Sequence, residues 1–140
     1  MTCLICSIIE RRLPSHLVYE DASSVAFLDA HPVATGHTLL VPRAHAARIE
    51  DLSPDQTKAL FSALYKILLP IREAVSADAT TIGVNNGPGS GQEIQHVHIH
   101  IIPRRRGDGG GIIQNLGPGG KIDLTDTADR IRSKISLSKS

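Results

Sequence analysis

The chain has 140 residues, a length for one domain, and its 41% hydrophobic content suffices for an ordinary core. A net charge of +1 gives no general electrostatic case for nucleic acid or membrane as partner, and aromatics at 3% without Trp speak against a stacking surface for single strands. No apolar run approaches the roughly 20 residues of a membrane span. Residues 4–9 are too short for a signal peptide and run into Glu10-Arg11-Arg12, so a cytoplasmic location is expected.

Cys3-Leu4-Ile5-Cys6 opens the readable chain. The C-x-x-C spacing lets two thiolates reach one ion, commonly zinc; it also fits a redox pair, or two inert reduced thiols. A structural disulfide is not expected in a reducing compartment. Residues 4–12 read as a short helix before a turn at Pro14. Residues 17–19 and 25–28 read as strands, and Asp29 after the second is in form a turn former. Residues 36–41 form a third strand closed by Pro42. Ser53-Pro54-Asp55-Gln56 is a helix start, with Ser as N-cap, Pro in the first turn and Gln three on. Leu60, Leu64, Ile67, Leu68, Ile71 and Val75 then recur at helical spacing, which predicts a core-facing helix of roughly 20 residues. Pro70 lies inside it and predicts a kink or split, at about 3 kcal/mol.

Residues 80–84 form a fourth strand. The loop 85–92 after it is rich in Gly and Pro, longer than a turn needs, and reads as a turn or a phosphate cradle. Then comes Gln95-His96-Val97-His98-Ile99-His100-Ile101, alternating polar and apolar with the period of a half-buried strand. Val97, Ile99 and Ile101 face one way; His96, His98 and His100 face the other, about 6.6–6.8 Å apart along the strand. A row of imidazoles on a stiff element can bind a metal, handle a phosphoryl group with one ring as nucleophile, or be only a polar face. Arg104-Arg105-Arg106 reads as a solvated strand end rather than a phosphate rim. Residues 107–120 read as an irregular flap, and residues 124–135 as a last helix capped by Thr125 or Asp126, before a frayed tail.

His96-Val97-His98-Ile99-His100-Ile101-Ile102 resembles the signature of the histidine triad (HIT) superfamily. The likeness continues into Pro103-Arg104 and reaches back through residues 85–92, Phe27-Leu28-Asp29, Gly36-His37 and Val41-Pro42-Arg43-Ala44-His45, covering residues 3–105. The N-terminal Cys pair and Gly36-His37 resemble the bacterial Hint-like branch. The resemblance implies an α+β fold with a five-stranded antiparallel sheet, one long helix and one or two short ones. Residues 1–105 would be the HIT core, and residues 106–140 a flap and short helix packed on the same domain. It further implies a homodimer. Structural zinc would be held by Cys3, Cys6, His45 and His96, with no catalytic metal expected. A purine nucleotide such as an AMP derivative would lie against Leu4, Ile5, Leu13 and Phe27, its ribose on Asp29 and its phosphate on Asn85, Gly91 and Gln92. Glu93 departs from the hydroxyl residue of the eukaryotic Hint branch, and a carboxylate there would repel phosphate.

The implied chemistry is nucleotidyl transfer to water. His98 attacks the α-phosphorus as a neutral imidazole, with His100 and His37 orienting the site. Phosphoramidates suit the Hint-like reading and dinucleoside polyphosphates a Fhit-like one. A metal-dependent hydrolase would need an open coordination position and a general base, which no H-E-x-x-H or carboxylate cluster supplies. A non-catalytic nucleotide-binding regulator is the remaining alternative.

Overall fold

A computed structural model describes residues 3–138. In chain order the elements are α1 (Leu4–Ile9), β1 (Leu17–Glu20), β2 (Ser24–Leu28), β3 (Thr38–Pro42), α2 (Pro54–Ala74), β4 (Ala79–Gly83), β5 (Ile99–Arg104) and α3 (Leu124–Ser138). The five strands form one sheet in the order β1-β2-β3-β5-β4, with every neighbouring pair antiparallel. This is the α+β architecture expected of the resemblance. The chain divides after Asp108 into two compact units.

In the first unit, strand parity sorts the apolar residues into two cores. Ala26 on β2, Leu40 on β3, and Ile99 and Ile101 on β5 pack with Leu60, Ala63 and Ile67 of α2. Their neighbours Val25, Phe27, Leu39 and Val41 point to the other face and pack with Ile5 of α1. With both faces covered, β3 is buried along its whole length. His100 lies between Ile99 and Ile101, so its ring belongs to the α1 face.

The α2 start is as the sequence predicts. Ser53 Oγ accepts the Gln56 N–H at 3.1 Å, and Gln56 Oε1 accepts the Ser53 N–H at 2.9 Å. The expected split at Pro70 is absent, because the helix runs on to Ala74. Pro70 removes one ladder bond close to the end, and Ile67 and Ile71 on either side are seated on the core. α1 stops at Ile9, short of Arg12, and Arg11 takes a positive φ of 61°. The ladder of the histidine strand begins only at Ile99, not at Gln95. Among the described residues, no helix is long and apolar enough to cross a membrane.

In the second unit, α3 is capped by Asp123 rather than Thr125 or Asp126: its Oδ1 accepts the Asp126 N–H at 2.9 Å. The helix continues to Ser138, three residues beyond the expected end. A 3-10 turn at Ile113–Asn115 interrupts the predicted flap.

Leu60 is fully buried beneath the sheet. Leu60→Ala should cost about 2–5 kcal/mol in urea unfolding. A loss under about 1 kcal/mol would mean that α2 is not seated as described.

Candidate functional site: a Cys/His centre joined to a histidine pocket

The histidine segment leaves the sheet before it reaches His98. β3 pairs with β5 through Leu40↔Ile99 and no further. Upstream, Val97 N–H donates to Ala46 O at 2.8 Å. The buried His96 ring bonds Pro42 O through Nε2 at 2.8 Å. A carbonyl can only accept, so the His96 proton is on Nε2 and Nδ1 carries a lone pair.

That Nδ1 lies 3.5 Å from Cys3 Sγ, 3.6 Å from Cys6 Sγ and 3.2 Å from His45 Nδ1. Cys6 Sγ lies 3.4 Å from His45 Nδ1. Tetrahedral zinc, with Zn–S near 2.3 Å and Zn–N near 2.0–2.1 Å, requires N–N separations of about 3.3 Å and S–N separations of about 3.5 Å. Four of the six donor–donor separations therefore match the edges of a Cys2His2 tetrahedron, and all four donors lie within 4.8 Å of one another. Cys3 Sγ also accepts the Cys6 N–H at 3.3 Å, and the Pro42 carbonyl supplies the outer hydrogen bond that orients a ligating imidazole. Burial, followed by the adjacent Cys3 thiol, pushes the Cys6 thiol up to about 11. A cation would reverse that cost, because a coordinating thiol is deprotonated. All four sequence-predicted ligands are brought together here.

The next ring is locked by the same residue. His98 Nδ1–H donates to the His96 carbonyl at 2.8 Å, which leaves Nε2 with the lone pair. A second chain of bonds sets His100. Val33 N–H donates to His37 Nδ1 at 3.2 Å, so the His37 proton is on Nε2. It donates to His100 Nδ1 at 2.9 Å, which places the His100 proton on Nε2. The His98 and His100 ring centres are 5.1 Å apart. Burial lowers the pKa of both His37 and His100; Asp29, with Oδ2 at 3.5 Å from His37 Nε2, opposes this only in part. The rings thus stand neutral at pH 7. Asp29, His37 and His100 also cluster closely enough to hold an ion. His37 argues against it: to ligate through Nε2 it would need its proton on Nδ1, where Val33 already donates.

The remaining predicted residues divide. Ile5 and Phe27 are buried walls of the α1-side core, whereas Leu4 and Leu13 are exposed. Asp29 Oδ1 accepts the His31 N–H at 2.9 Å. Asn85 and Glu93 are exposed. Gly91 adopts φ 100°, a conformation that favours glycine. Gln92 is buried within its loop: Oε1 accepts the Gly87 N–H at 2.7 Å and Nε2 donates to Ala47 O at 2.7 Å. Sequence reading missed Asn86, which ties the loop to the segment after His45 through Ile49 N–H at 2.8 Å and Glu50 at 2.7 Å. The tandem Asn85-Asn86-Gly87 was its only signal. The arginine run serves structure: Arg104 forks onto Asp108, and the Arg105 side chain reaches Val75 O.

The chain belongs to the HIT family, whose domain model matches residues 10–107. It is 38% identical over 130 residues to an uncharacterised HIT-like protein of Methanocaldococcus jannaschii, covering 93% of this chain and 98% of that one. It is similar in structure to a HIT-family protein of Bacillus subtilis, with TM-score 0.81, 35% identity, and 98% and 96% of the two chains covered. A zinc-bound histidine triad protein of Mycobacterium smegmatis superposes with TM-score 0.73 at 28% identity over 99% and 96% of the chains. Enzymes are among its relatives. An adenylylsulfatase of Arabidopsis thaliana is 38% identical over 76% of this chain and 54% of its own, and a bis(5′-nucleosyl)-tetraphosphatase of Schizosaccharomyces pombe is 37% identical over 67% and 52%. The family is one of nucleotide-binding hydrolases and transferases.

Cobalt(II) titration of the thiol-reduced protein should give one equivalent with thiolate-to-cobalt charge-transfer absorption, and Cys3→Ser/Cys6→Ser should abolish that band. A band that survives the double substitution would place the metal elsewhere.

Proposed function

We propose that this protein hydrolyses a nucleotide at its α-phosphate through a nucleotidyl-histidine intermediate, with nucleoside phosphoramidates as the substrate class. The observation that carries this reading is the His98 ring, whose Nδ1 is held to a backbone carbonyl, so that in the neutral ring the lone pair falls on Nε2. In the first step the His98 Nε2 lone pair forms the N–P bond while the bond from phosphorus to the leaving group breaks. The ring becomes an imidazolium, and its Nδ1–H bond to the His96 carbonyl then carries charge, so it strengthens as the intermediate forms. The His100 Nε2–H is the proton available to the departing amine, and the His37 Nε2–H backs it. Water then attacks phosphorus and its proton replaces the one that His100 gave to the amine; the N–P bond breaks with its electron pair returning to His98 Nε2, the nucleoside monophosphate leaves and neutral His98 returns.

Asp29 is assigned to the ribose hydroxyls, Ile5 and Phe27 with Leu4 and Leu13 to the base, and Asn85, Gly91 and Gln92 to the phosphate. Zinc is assigned to Cys3, Cys6, His45 and His96 as a structural ion. A homodimer is supported by Phe61, Tyr65 and Leu69 of α2, which are 43%, 83% and 53% exposed, and by β4 at an open sheet edge. The yeast tetraphosphatase among the relatives keeps dinucleoside polyphosphates as the second substrate class.

AMP release from adenosine 5′-phosphoramidate tests the reading. His98→Ala should lower kcat by at least about 10³-fold while nucleotide binding persists. Equal release by both proteins would remove His98 as nucleophile, and release only from diadenosine polyphosphates would select the second class.

The histidine pKa shifts set the pH dependence of folding. His37 and His100 lie below their unfolded value of 6.5, so their stabilising effect is complete above that pH and fades as the pH falls through their folded values. Urea midpoints should be flat from pH 7 to 8 and fall towards pH 5, less steeply in His37→Asn. An unchanged slope in that variant would show that His37 does not titrate as described.

A further inference from the structure

The α2 face of the sheet holds a groove of about 480 Å³ that the histidine chemistry does not use. Leu28 of β2, Thr38 of β3, and Ile67, Pro70 and Ala74 of α2 line it, together with the exposed Lys66. Small-molecule sites occupy about 300–1,000 Å³. The other polar groups of the lining are already occupied. Thr38 Oγ1–H donates to Gly36 O at 2.8 Å, and the Tyr19 hydroxyl donates to Asp21 Oδ2 at 2.6 Å. Asp21 Oδ1 accepts the Ser23 and Ser24 N–H groups at 2.8 and 2.7 Å. Lys66 brings the one charge of the lining. Asp21 feels that charge, yet among the described residues Lys66 makes no ion pair. The groove also backs on to the histidine pocket. Gly36 and Thr38 line it, while His37 between them points the other way, to His100 at 2.9 Å. Leu28 lines it too, and the next residue, Asp29, donates its N–H to His37 O at 2.9 Å.

We propose that this groove binds a small amphiphile, one carboxylate at the end of an unbranched apolar chain, and that His37 senses its occupancy. The carboxylate pairs with Lys66, and the chain lies along α2 over Leu28 and Thr38. From Lys66 to Ala74 the groove runs about 12 Å along α2 at about 1.5 Å per residue, the span of a decanoate chain. Such a chain covers apolar surface now left to water, since Val18 and Leu28 are 50% and 37% exposed. A second charge on the ligand would find no partner among these walls, and its desolvation would go unpaid. The occupant is not the substrate, because the sheet stands between it and His100. Nor does a homodimer close the groove: Phe61, Tyr65 and Leu69 lie about 140° around α2 from Lys66, Pro70 and Ala74. Binding here is independent of the nucleotide chemistry proposed above; only an effect on turnover would rest on it.

The test titrates decanoate, below its micelle concentration, into the full chain and follows methyl and imidazole resonances. The Val18, Leu28, Thr38 and Ile67 methyls should shift along one curve that saturates at one decanoate per chain. The His37 ring nitrogens should follow the same curve. Decanol, which lacks the charge, should bind about twofold to fivefold more weakly, and Lys66→Ala should weaken decanoate to the same extent. Acetate, which lacks the chain, should leave the methyls unmoved at the same concentrations. Ala74→Trp, which fills the groove, should abolish binding, with the far-ultraviolet circular dichroism of both variants unchanged. Binding without saturation, shifts confined to Phe61, Tyr65 and Leu69, or full affinity in Ala74→Trp would overturn the site. Equal affinity for decanol, or for decanoate in Lys66→Ala, would overturn the carboxylate assignment. A His37 ring that stays unmoved at saturation would overturn its sensing of the groove.

Discussion

An imidazole has two nitrogens, and an attacking histidine works only if the proton sits on the one that does not attack. Here the carbonyl of His96 makes that choice for His98, two residues away along an extended chain. A hydrogen bond to a group that becomes charged contributes about 1.5–3 kcal/mol, more than one to a neutral group. The same contact is therefore stronger in the nucleotidylated imidazolium than in the resting ring. Everything that holds the His96 peptide plane acts on that nitrogen, and the buried His96 ring, bonded to Pro42 O, and the Val97 N–H on Ala46 O are two such restraints.

The pocket depends in turn on a sheet covered on both sides. Val25, Phe27, Leu39 and Val41 build the α1-side core, and the parity of β5 points His100 towards that face. Aliphatic walls drive out water and keep His37 and His100 neutral. The opposite face, bearing α2, fixes the position of β3 and β5 and contributes nothing chemical. One core anchors the strands, and the other lines the site.

Much of this was legible in the residues. Ser53, Pro54 and Gln56 announce α2 because capping is local chemistry, and the buried Val97, Ile99 and Ile101 follow from alternation alone. The Cys pair, with His45 and His96, was legible only through resemblance, since 39 and 90 residues separate Cys6 from its two histidine neighbours. Asp123 escaped because Thr125 and Asp126 offer equally good caps nearby. Asn86 and the structural engagement of Gln92 escaped because their partners, Ile49, Glu50 and Ala47, lie in a segment with no periodic signal.

By itself the sequence determined the apolar spacing of α2 and of the histidine segment, the capped start of α2 and the kinds of donor available to an ion. Those are short-range properties, set by side-chain spacing and backbone sterics. Only the tertiary structure decided where the histidine ladder stops, which nitrogen of each ring carries its proton, and that four distant donors meet within 4.8 Å of one another. Proton placement depends on whether the group opposite is a carbonyl or an N–H. For His98, His96 and His37 that group is the backbone of His96, Pro42 and Val33, and no side-chain pattern records which way a backbone dipole will face.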